Sequence, residues 1–242
     1  AGKIDGEVYL KTINDVDISV TCWVIMALKS AQISGLKVPD EVMEGGLAYA
    51  RAVTGENGLV GYQDVSQAGR PAAGVGDHFK YHTGTMTSLG MLVRTFVQHD
   101  LEDEFLDLGA KHILKDLPEV TKDKEHPSID YYYWYYATLA LNQYDGPDSP
   151  RKSAGKYWEP WNRALQDAIL PLQDRSKERL VCSRGGWLTN DRWSHAGHAL
   201  YNTAINVLTL QVYYRYENAF GAVGRERGGP AATLDPDGGG GK

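Results

Sequence analysis

The chain has 242 residues, of which 42% are hydrophobic and 23% charged, and this composition suits one large globular domain with a substantial core. Its formal net charge is −6 and its basic residues are scattered, which argues against the clustered basic face of a nucleic-acid-binding protein. No apolar run is long enough to cross a bilayer, so the sequence predicts no transmembrane segment.

The first half of the chain predicts two pairs of helices. An apolar helix over 21–36 is followed by a partner over 39–54, which opens with Pro39 and with acidic residues that favour a helix start. A Gly-rich connection, 55–84, leads to a second apolar helix over 85–101. The partner of that helix is predicted from a stripe at helical spacing that comprises Leu101, Phe105, Leu108 and His112.

The second half repeats the arrangement. A third apolar helix is predicted over 131–146 and a fourth over 201–217, with a long connection over 173–200 before the fourth. Between the third and fourth lies the clearest amphipathic pattern of the chain, formed by Trp158, Trp161, Leu165, Ala168 and Leu172.

The four apolar helices resemble copies of one another. Their equivalent positions are Ala27, Leu92, Ala140 and Thr209. Superposition on these positions produces an apolar column of Met26, Met91, Leu139 and Leu208. Such self-similarity is typical of repeat proteins, in which each unit buries its apolar face against its neighbours.

The alternation of copies and partners, without convincing strands, predicts an all-α fold of stacked helical hairpins. The copies should form the inner layer and the more amphipathic partners the outer layer. We expect this repeat domain to cover residues 1–220. The Gly- and Pro-rich residues 221–242 lack apolar periodicity and are expected to form a disordered tail.

Three sequence features resemble a known superfamily: the loops GLVGY (58–62) and GGW (185–187), and the segment DVDISVTCWVIMALKSA (15–31). Together they are similar to the prenyltransferase and squalene-cyclase repeats, and to bacterial repeat proteins of that superfamily whose activity is unassigned. The resemblance covers about residues 15–217 and implies an α/α-toroid. Toroids of this kind usually have about six hairpins. Four inner and three outer helices here therefore imply a partial or shortened ring, or one that another chain completes.

The resemblance makes Asp15 and Asp17 candidate catalytic acids. Squalene-hopene-type cyclases carry an Asp-x-Asp-Asp-Thr motif whose middle aspartate protonates an alkene. Asp17 takes the middle place and Asp15 the first, but Ile18 stands where the last aspartate would be. From the residues alone, Asp17 or Ser19 suits the N-cap of the first helix, and this is the interpretation that we prefer.

Zinc is the metal that the resemblance implies, since protein prenyltransferases bind zinc through Asp, Cys and His. The alternative ligands here are Cys182, His195 and His198. The family's histidine lies at the start of a late inner helix, where this chain has Asn202, and His82 occupies that type of position in an earlier repeat. We therefore expect no metal and no other cofactor, with His195 and His198 making hydrogen bonds in loops or at the surface.

Residues 131–136 read YYYWYY, an unusually aromatic start for a helix. Such a surface suits an apolar ligand, a sugar-like ligand or a cation, but the same rings are equally suited to packing against both layers. Further aromatic residues are expected near the same opening. The candidate ligand-binding residues are Trp23, His82, Tyr131, Tyr132, Trp134, Tyr135, Trp187 and Trp193.

Two functions follow as expectations. The first is a non-catalytic α/α-toroid module that binds or assembles, with a protein partner or as an oligomer, within a larger complex. The alternative is an enzyme, terpene cyclase-like or prenyltransferase-like, that acts on an isoprenoid, or one that acts on a carbohydrate, in the mouth of the toroid. Because the chain starts at Ala1 and not at Met, a processed chain or a piece of a longer one is expected, and an exported, periplasmic bacterial protein fits.

Overall fold

The computed structural model describes residues 16–65, 83–121, 128–177, 183–189 and 191–215. Within these ranges the secondary structure consists of helices and two isolated β-bridges, without a strand. The predicted all-α class is confirmed. The α-helices are α1 (Ile18–Ile33), α2 (Asp40–Ala52), α3 (Thr83–Gln98), α4 (Glu104–Ile113), α5 (Tyr131–Asp145), α6 (Trp158–Ile169) and α7 (Ser194–Arg215).

The four repeat copies, α1, α3, α5 and α7, pack side by side in chain order. Helix α3 contacts α1 on one side and α5 on the other, and α5 also contacts α7. Helix α2 lies against α1 and α3, α4 lies against α3 and α5, and α6 lies against α5. The copies therefore form a continuous row, and each partner helix packs against one or two helices of that row.

Helix α5 is the centre of the core. Thirteen of its 15 residues are buried, including most of its aromatic start. Close packing against α3 is possible because Gly84 has no side chain: a Cβ there would lie 2.8 Å from the Tyr133 ring. On the outer side, the Trp161 indole of α6 donates to the Thr138 hydroxyl at 3.0 Å. Helix α5 is buried on nearly every face because it has neighbours on several sides.

The face that α4 buries differs from the predicted one. The predicted stripe included Phe105, Leu108 and His112, but the buried residues of α4 are Leu106, Gly109, Ala110 and Ile113. Small residues bring α4 close to α3, since a Cβ on Gly109 would lie 2.8 Å from the Met91 sulfur. The prediction was wrong because it counted large apolar side chains and overlooked the small residues that allow close helix approach.

The loops GLVGY and GGW follow α2 and α6 in the chain. Gly58 has φ +82°, and its missing side chain lets Leu108 pack on the backbone. In the second loop, Trp187 is buried and its indole donates to the Ile169 carbonyl at the end of α6 at 2.9 Å. The first loop is thus packed against α4 and the second is bonded to the end of α6.

The starts of α3, α5 and α7 meet at one end of the fold. Gly84 at the start of α3 contacts Tyr133 of α5, and the Tyr131 N–H of α5 donates to Asp191 just before α7. Helix α7 is interrupted by His198, which has φ +48°. In the described part of the chain, no helix combines the length and apolarity that a bilayer crossing requires. The expected tail, 221–242, lies outside the described residues.

Candidate functional site

Asp17 is the N-cap of α1, and its two carboxylate oxygens meet three donors. Oδ1 accepts from the Val20 N–H at 2.8 Å and from the Ser19 hydroxyl, and Oδ2 accepts from the Tyr62 hydroxyl at 2.9 Å. The N-cap prediction for Asp17 is therefore confirmed. Asp15, the other candidate acid, lies outside the described residues.

Asparagine and alanine are expected to differ as replacements for Asp17. Asp17→Asn keeps an oxygen for the Val20 N–H and should change the free energy of unfolding by less than about 0.5 kcal/mol, whereas Asp17→Ala should lower it by about 1–2 kcal/mol. Urea unfolding of both variants measures the difference. Equal stability of the two variants would contradict the capping role.

Four of the candidate ligand-binding aromatics lie in the core. Tyr131 and Trp134 are buried and form an edge-to-face pair with ring centroids 5.5 Å apart. Tyr135 and Trp187 are buried as well. In the structure these four rings contribute to the packing of the hydrophobic core. His82 lies outside the described residues.

The other three candidates, Trp23, Tyr132 and Trp193, come together with Tyr136 at the starts of α1, α5 and α7. The Tyr132 ring lies 5.5 Å from the Trp193 ring and 4.7 Å from the Tyr136 ring, measured between centroids. Trp23 lies within hydrogen-bonding reach of the Tyr132 and Tyr136 hydroxyls and is itself 49% exposed. Burial raises the pKa of both tyrosines well above the ordinary value, so these hydroxyls remain protonated.

Two buried acids that sequence reasoning missed, Asp130 and Asp191, lie beside these aromatics. Asp130 is the N-cap of α5: it accepts from the Tyr133 N–H at 2.9 Å and from the Trp193 indole at 3.2 Å. Asp191 accepts from the Tyr131 N–H at 3.1 Å and from the Trp193 N–H at 3.0 Å. The two carboxylates therefore tie the starts of α5 and α7 together.

The electrostatics of Asp191 are unusual for an aspartate. The pKa of Asp191 is raised from 3.8 to about 6. Burial is the largest cause and the negative charge of Asp130 adds to it, while the hydrogen bonds from Ser194, Trp193 and Tyr131 oppose the increase. The Arg192 guanidinium lies beside the pair, with its Nη1 3.9 Å from Asp130 Oδ2. The pair is thus a carboxylate beside a carboxyl group that titrates near neutrality.

Several buried polar atoms around these acids have no hydrogen-bond partner in the described structure. They are the Tyr131 and Tyr201 hydroxyls, both amide atoms of Asn206, and Nε and Nη1 of Arg192. Burial and the charge of Asp191 raise the pKa of Tyr131. The Tyr131 hydroxyl lies near the Asn206 side chain but does not meet the geometry of a hydrogen bond. Burial raises the pKa of Tyr201, and the negative charges of Asp191 and Asp130 raise it as well. We call this group the α5–α7 polar cluster: Asp130, Tyr131, Asp191, Arg192, Tyr201 and Asn206.

The alternative zinc ligands do not gather in the described part of the fold. His195 is exposed and its Nδ1 lies 3.1 Å from the Arg192 carbonyl, while His198 is exposed at the interruption of α7. Cys182 lies outside the described residues. Among those that are described, no three His, Cys, Asp or Glu side chains form a group that could hold a metal ion. Cys22 is a free, buried thiol whose pKa is raised by burial.

Comparison of the chain with protein-family models, with curated proteins and with solved structures finds no significant match.

Proposed function

We propose that the chain is a non-catalytic α/α-toroid module for binding and assembly, whose row of inner helices is continued by a second copy of the chain. The observation that carries this proposal is the apolar exposed surface of the two end helices. Val24 of α1 is 49% exposed, and on α7 Leu200 is 82% and Tyr214 is 92% exposed. Large apolar side chains at this exposure are costly in water unless a partner covers them.

The exposed apolar residues form stripes at helical spacing. On α1 the stripe consists of Val20, Val24 and Ala27, and on α7 it consists of Leu200, Ala204, Val207 and Tyr214. Steps of four and three residues keep side chains on one face of a helix. Each end helix therefore has two packing faces: one is buried against a neighbouring helix of the chain, and the other is exposed.

A second copy is the occupant that the repeat favours. Within the chain, copy packs against copy: α3 against α1 and α5, and α5 against α7. The exposed face of α7 is thus of the type that receives the next copy in the row, and α1 is such a copy. Packing of α7 of one molecule against α1 of another continues this arrangement in a head-to-tail contact, which closes into a ring or extends as a chain.

Two further observations support a role without catalysis. The carboxylate of Asp17, the acid that resembles the cyclase motif, is used by the donors at the start of α1. In addition, a cavity of 660 Å³ is lined by residues 114–120 and by Ala164, Asp167 and Ala168 of α6, so neither Asp17 nor the aromatic rings border it.

An enzyme acting on an isoprenoid or a carbohydrate is the second candidate. Asp191, which is buried beside Asp130 and has its pKa raised to about 6, favours it, since a general acid needs a pKa near the working pH. This candidate ranks second because both Asp191 oxygens already accept hydrogen bonds from N–H groups of Tyr131 and Trp193.

Assembly is tested with charge substitutions in the two stripes. We expect the wild-type protein to have a mass in solution of at least twice the monomer mass of 26.7 kDa. Val24→Glu and Val207→Glu should each block one face and weaken assembly, because a carboxylate would be buried without a partner. Val42→Glu on α2, where the valine is similarly exposed at 48%, is the matched control and should assemble normally. Size-exclusion chromatography with light scattering measures the masses.

Mixing the two variants distinguishes a head-to-tail contact from a symmetric one. Val24→Glu keeps an intact α7 face and Val207→Glu keeps an intact α1 face, so an equimolar mixture should form a dimer through the one pair of intact faces. A monomeric wild-type protein would overturn the proposal. A mixture that stays monomeric would overturn the head-to-tail arrangement.

A further inference from the structure

We propose that the α5–α7 polar cluster binds a neutral, hydroxyl-rich ligand, either a sugar ring or a polyol. This inference goes beyond the assembly role, because the cluster lies at the starts of α5 and α7 and uses none of the side chains in the exposed stripes. The inference rests on buried polar atoms that lack partners, on the charges beside them and on the aromatic rings around them.

The unpartnered atoms are the first argument. Tyr131 and Asn206 are fully buried, and neither the tyrosine hydroxyl nor either amide atom has a hydrogen-bond partner in the described structure. More than nine in ten buried polar groups in folded proteins are hydrogen-bonded, to protein or to ordered water. Such atoms occur near Asp130 and Asp191 in four side chains: Tyr131, Arg192, Tyr201 and Asn206. A bound polar molecule would explain this concentration.

The nature of these atoms selects the kind of ligand. Arg192 Nε, Arg192 Nη1 and Asn206 Nδ2 are donors and require an acceptor, whereas Asn206 Oδ1 requires a donor. A metal cation or an ammonium group offers no acceptor, and a carboxylate or phosphate dianion offers no donor. A hydroxyl group supplies both, and neighbouring hydroxyls on one ring can serve several of these atoms together.

The charges lead to the same conclusion. An anion in the cluster would approach the carboxylates of both Asp130 and Asp191. A cation would meet the Arg192 guanidinium, which lies 3.9 Å from Asp130. Because opposite charges line the cluster within a few ångströms, a ligand without net charge is favoured over either ion.

Aromatic rings lie beside the cluster. Tyr132 and Trp193 lie 5.5 Å apart between centroids, and the Trp193 indole N–H donates to Asp130. Trp23, half exposed, extends the aromatic surface towards solvent. Such rings present an apolar face to the C–H face of a sugar while their polar edges remain hydrogen-bonded.

Saturation-transfer NMR tests the proposal on the full chain. The probes are D-glucose, D-galactose, N-acetyl-D-glucosamine and myo-inositol, with D-glucuronate and D-glucosamine as charged counterparts. We expect at least one neutral probe to bind, with the charged counterpart of the same ring at least tenfold weaker. The Asn206→Leu variant removes both amide atoms while it keeps the number and branching of the side-chain heavy atoms, and it should weaken that binding at least tenfold.

Hydroxyl deletions provide the matched controls. Tyr131→Phe and Tyr201→Phe should each weaken binding, whereas Tyr49→Phe, on α2 and outside both the cluster and the exposed stripes, should not. The hydroxyls removed from Tyr131 and Tyr201 have no partner, so these variants are expected to remain folded even if Asn206→Leu does not. Three results would overturn the proposal: no binding of any neutral probe, binding of the charged probes alone, or binding that Asn206→Leu, Tyr131→Phe and Tyr201→Phe all leave unchanged.

Discussion

Replacing Asp145 with alanine is expected to lower the free energy of unfolding by about 3 kcal/mol, because it breaks a buried ion pair and leaves Arg151 with only the more distant Asp107, 4.0 Å away. Asp145 is fully buried at the end of α5, and its Oδ1 accepts from Arg151 at 2.8 Å. Its Oδ2 accepts from the N–H groups of Tyr157 at 2.6 Å and of Trp158 at 3.0 Å. One carboxylate thus joins the end of α5 to the start of α6.

The Arg151 guanidinium has little freedom to escape into water when its partner is lost. It lies 3.9 Å above the Tyr144 ring, and its side chain is only 12% exposed. Two N–H groups at the start of α6 would also lose their acceptor, and such groups are costly when buried. Asp145→Ala should therefore destabilise the fold in two ways: it removes the main ion-pair partner of Arg151, and it removes the acceptor of two N–H groups at the start of α6.

Asp148, three residues further along, provides the control. It is exposed, and Asp148→Ala should change stability by no more than about 0.5 kcal/mol. Urea unfolding followed by circular dichroism measures both variants. A loss of less than about 1 kcal/mol in Asp145→Ala would mean that desolvation of the pair already cancels most of its attraction.

The helices were predictable because their signal is local. Trp158, Trp161, Leu165 and Ala168 recur at steps of three and four residues, and all four are buried in α6 as expected. The face of α4 was not predictable in the same way. Gly109 and Ala110 face α3 because they are small, and a pattern of large apolar residues carries no information about close approach.

The candidate site was predictable only in part. The superposition that equates Ala27 with Ala140 also equates Asp17 with Asp130, since each aspartate precedes its alanine by ten residues, so the cap at Asp130 was within reach of the sequence. Asp191 does not fall in that column. Helix α7 begins at Ser194, earlier than predicted, and is interrupted at His198, so the contact between Asp191 and the start of α5 arises from tertiary structure alone.

The pH dependence of stability is expected to carry the signature of Asp191. The pKa of this carboxyl group is about 6 in the folded protein and 3.8 ordinarily, so between these values the folded state holds a proton that the unfolded chain has released. The resulting stabilisation is complete below pH 3.8 and is lost as the pH rises through 6. Its size is about 3 kcal/mol, at 1.36 kcal/mol for each pKa unit.

Asp191→Asn cannot ionise, so the variant should gain stability relative to the wild-type protein by about 3 kcal/mol between pH 4 and pH 7. The measurement is the free energy of urea unfolding of both proteins across this range, with the exposed Asp148→Asn as a control whose difference from wild type stays constant. The sign of the slope is decisive. If the N–H groups of Tyr131 and Trp193 stabilised the carboxylate more than burial destabilises it, the pKa would lie below 3.8 and the wild-type protein would gain stability as the pH rises. Burial and the nearby charge of Asp130 outweigh those donors here, and we therefore expect the wild-type protein to lose stability relative to the variant.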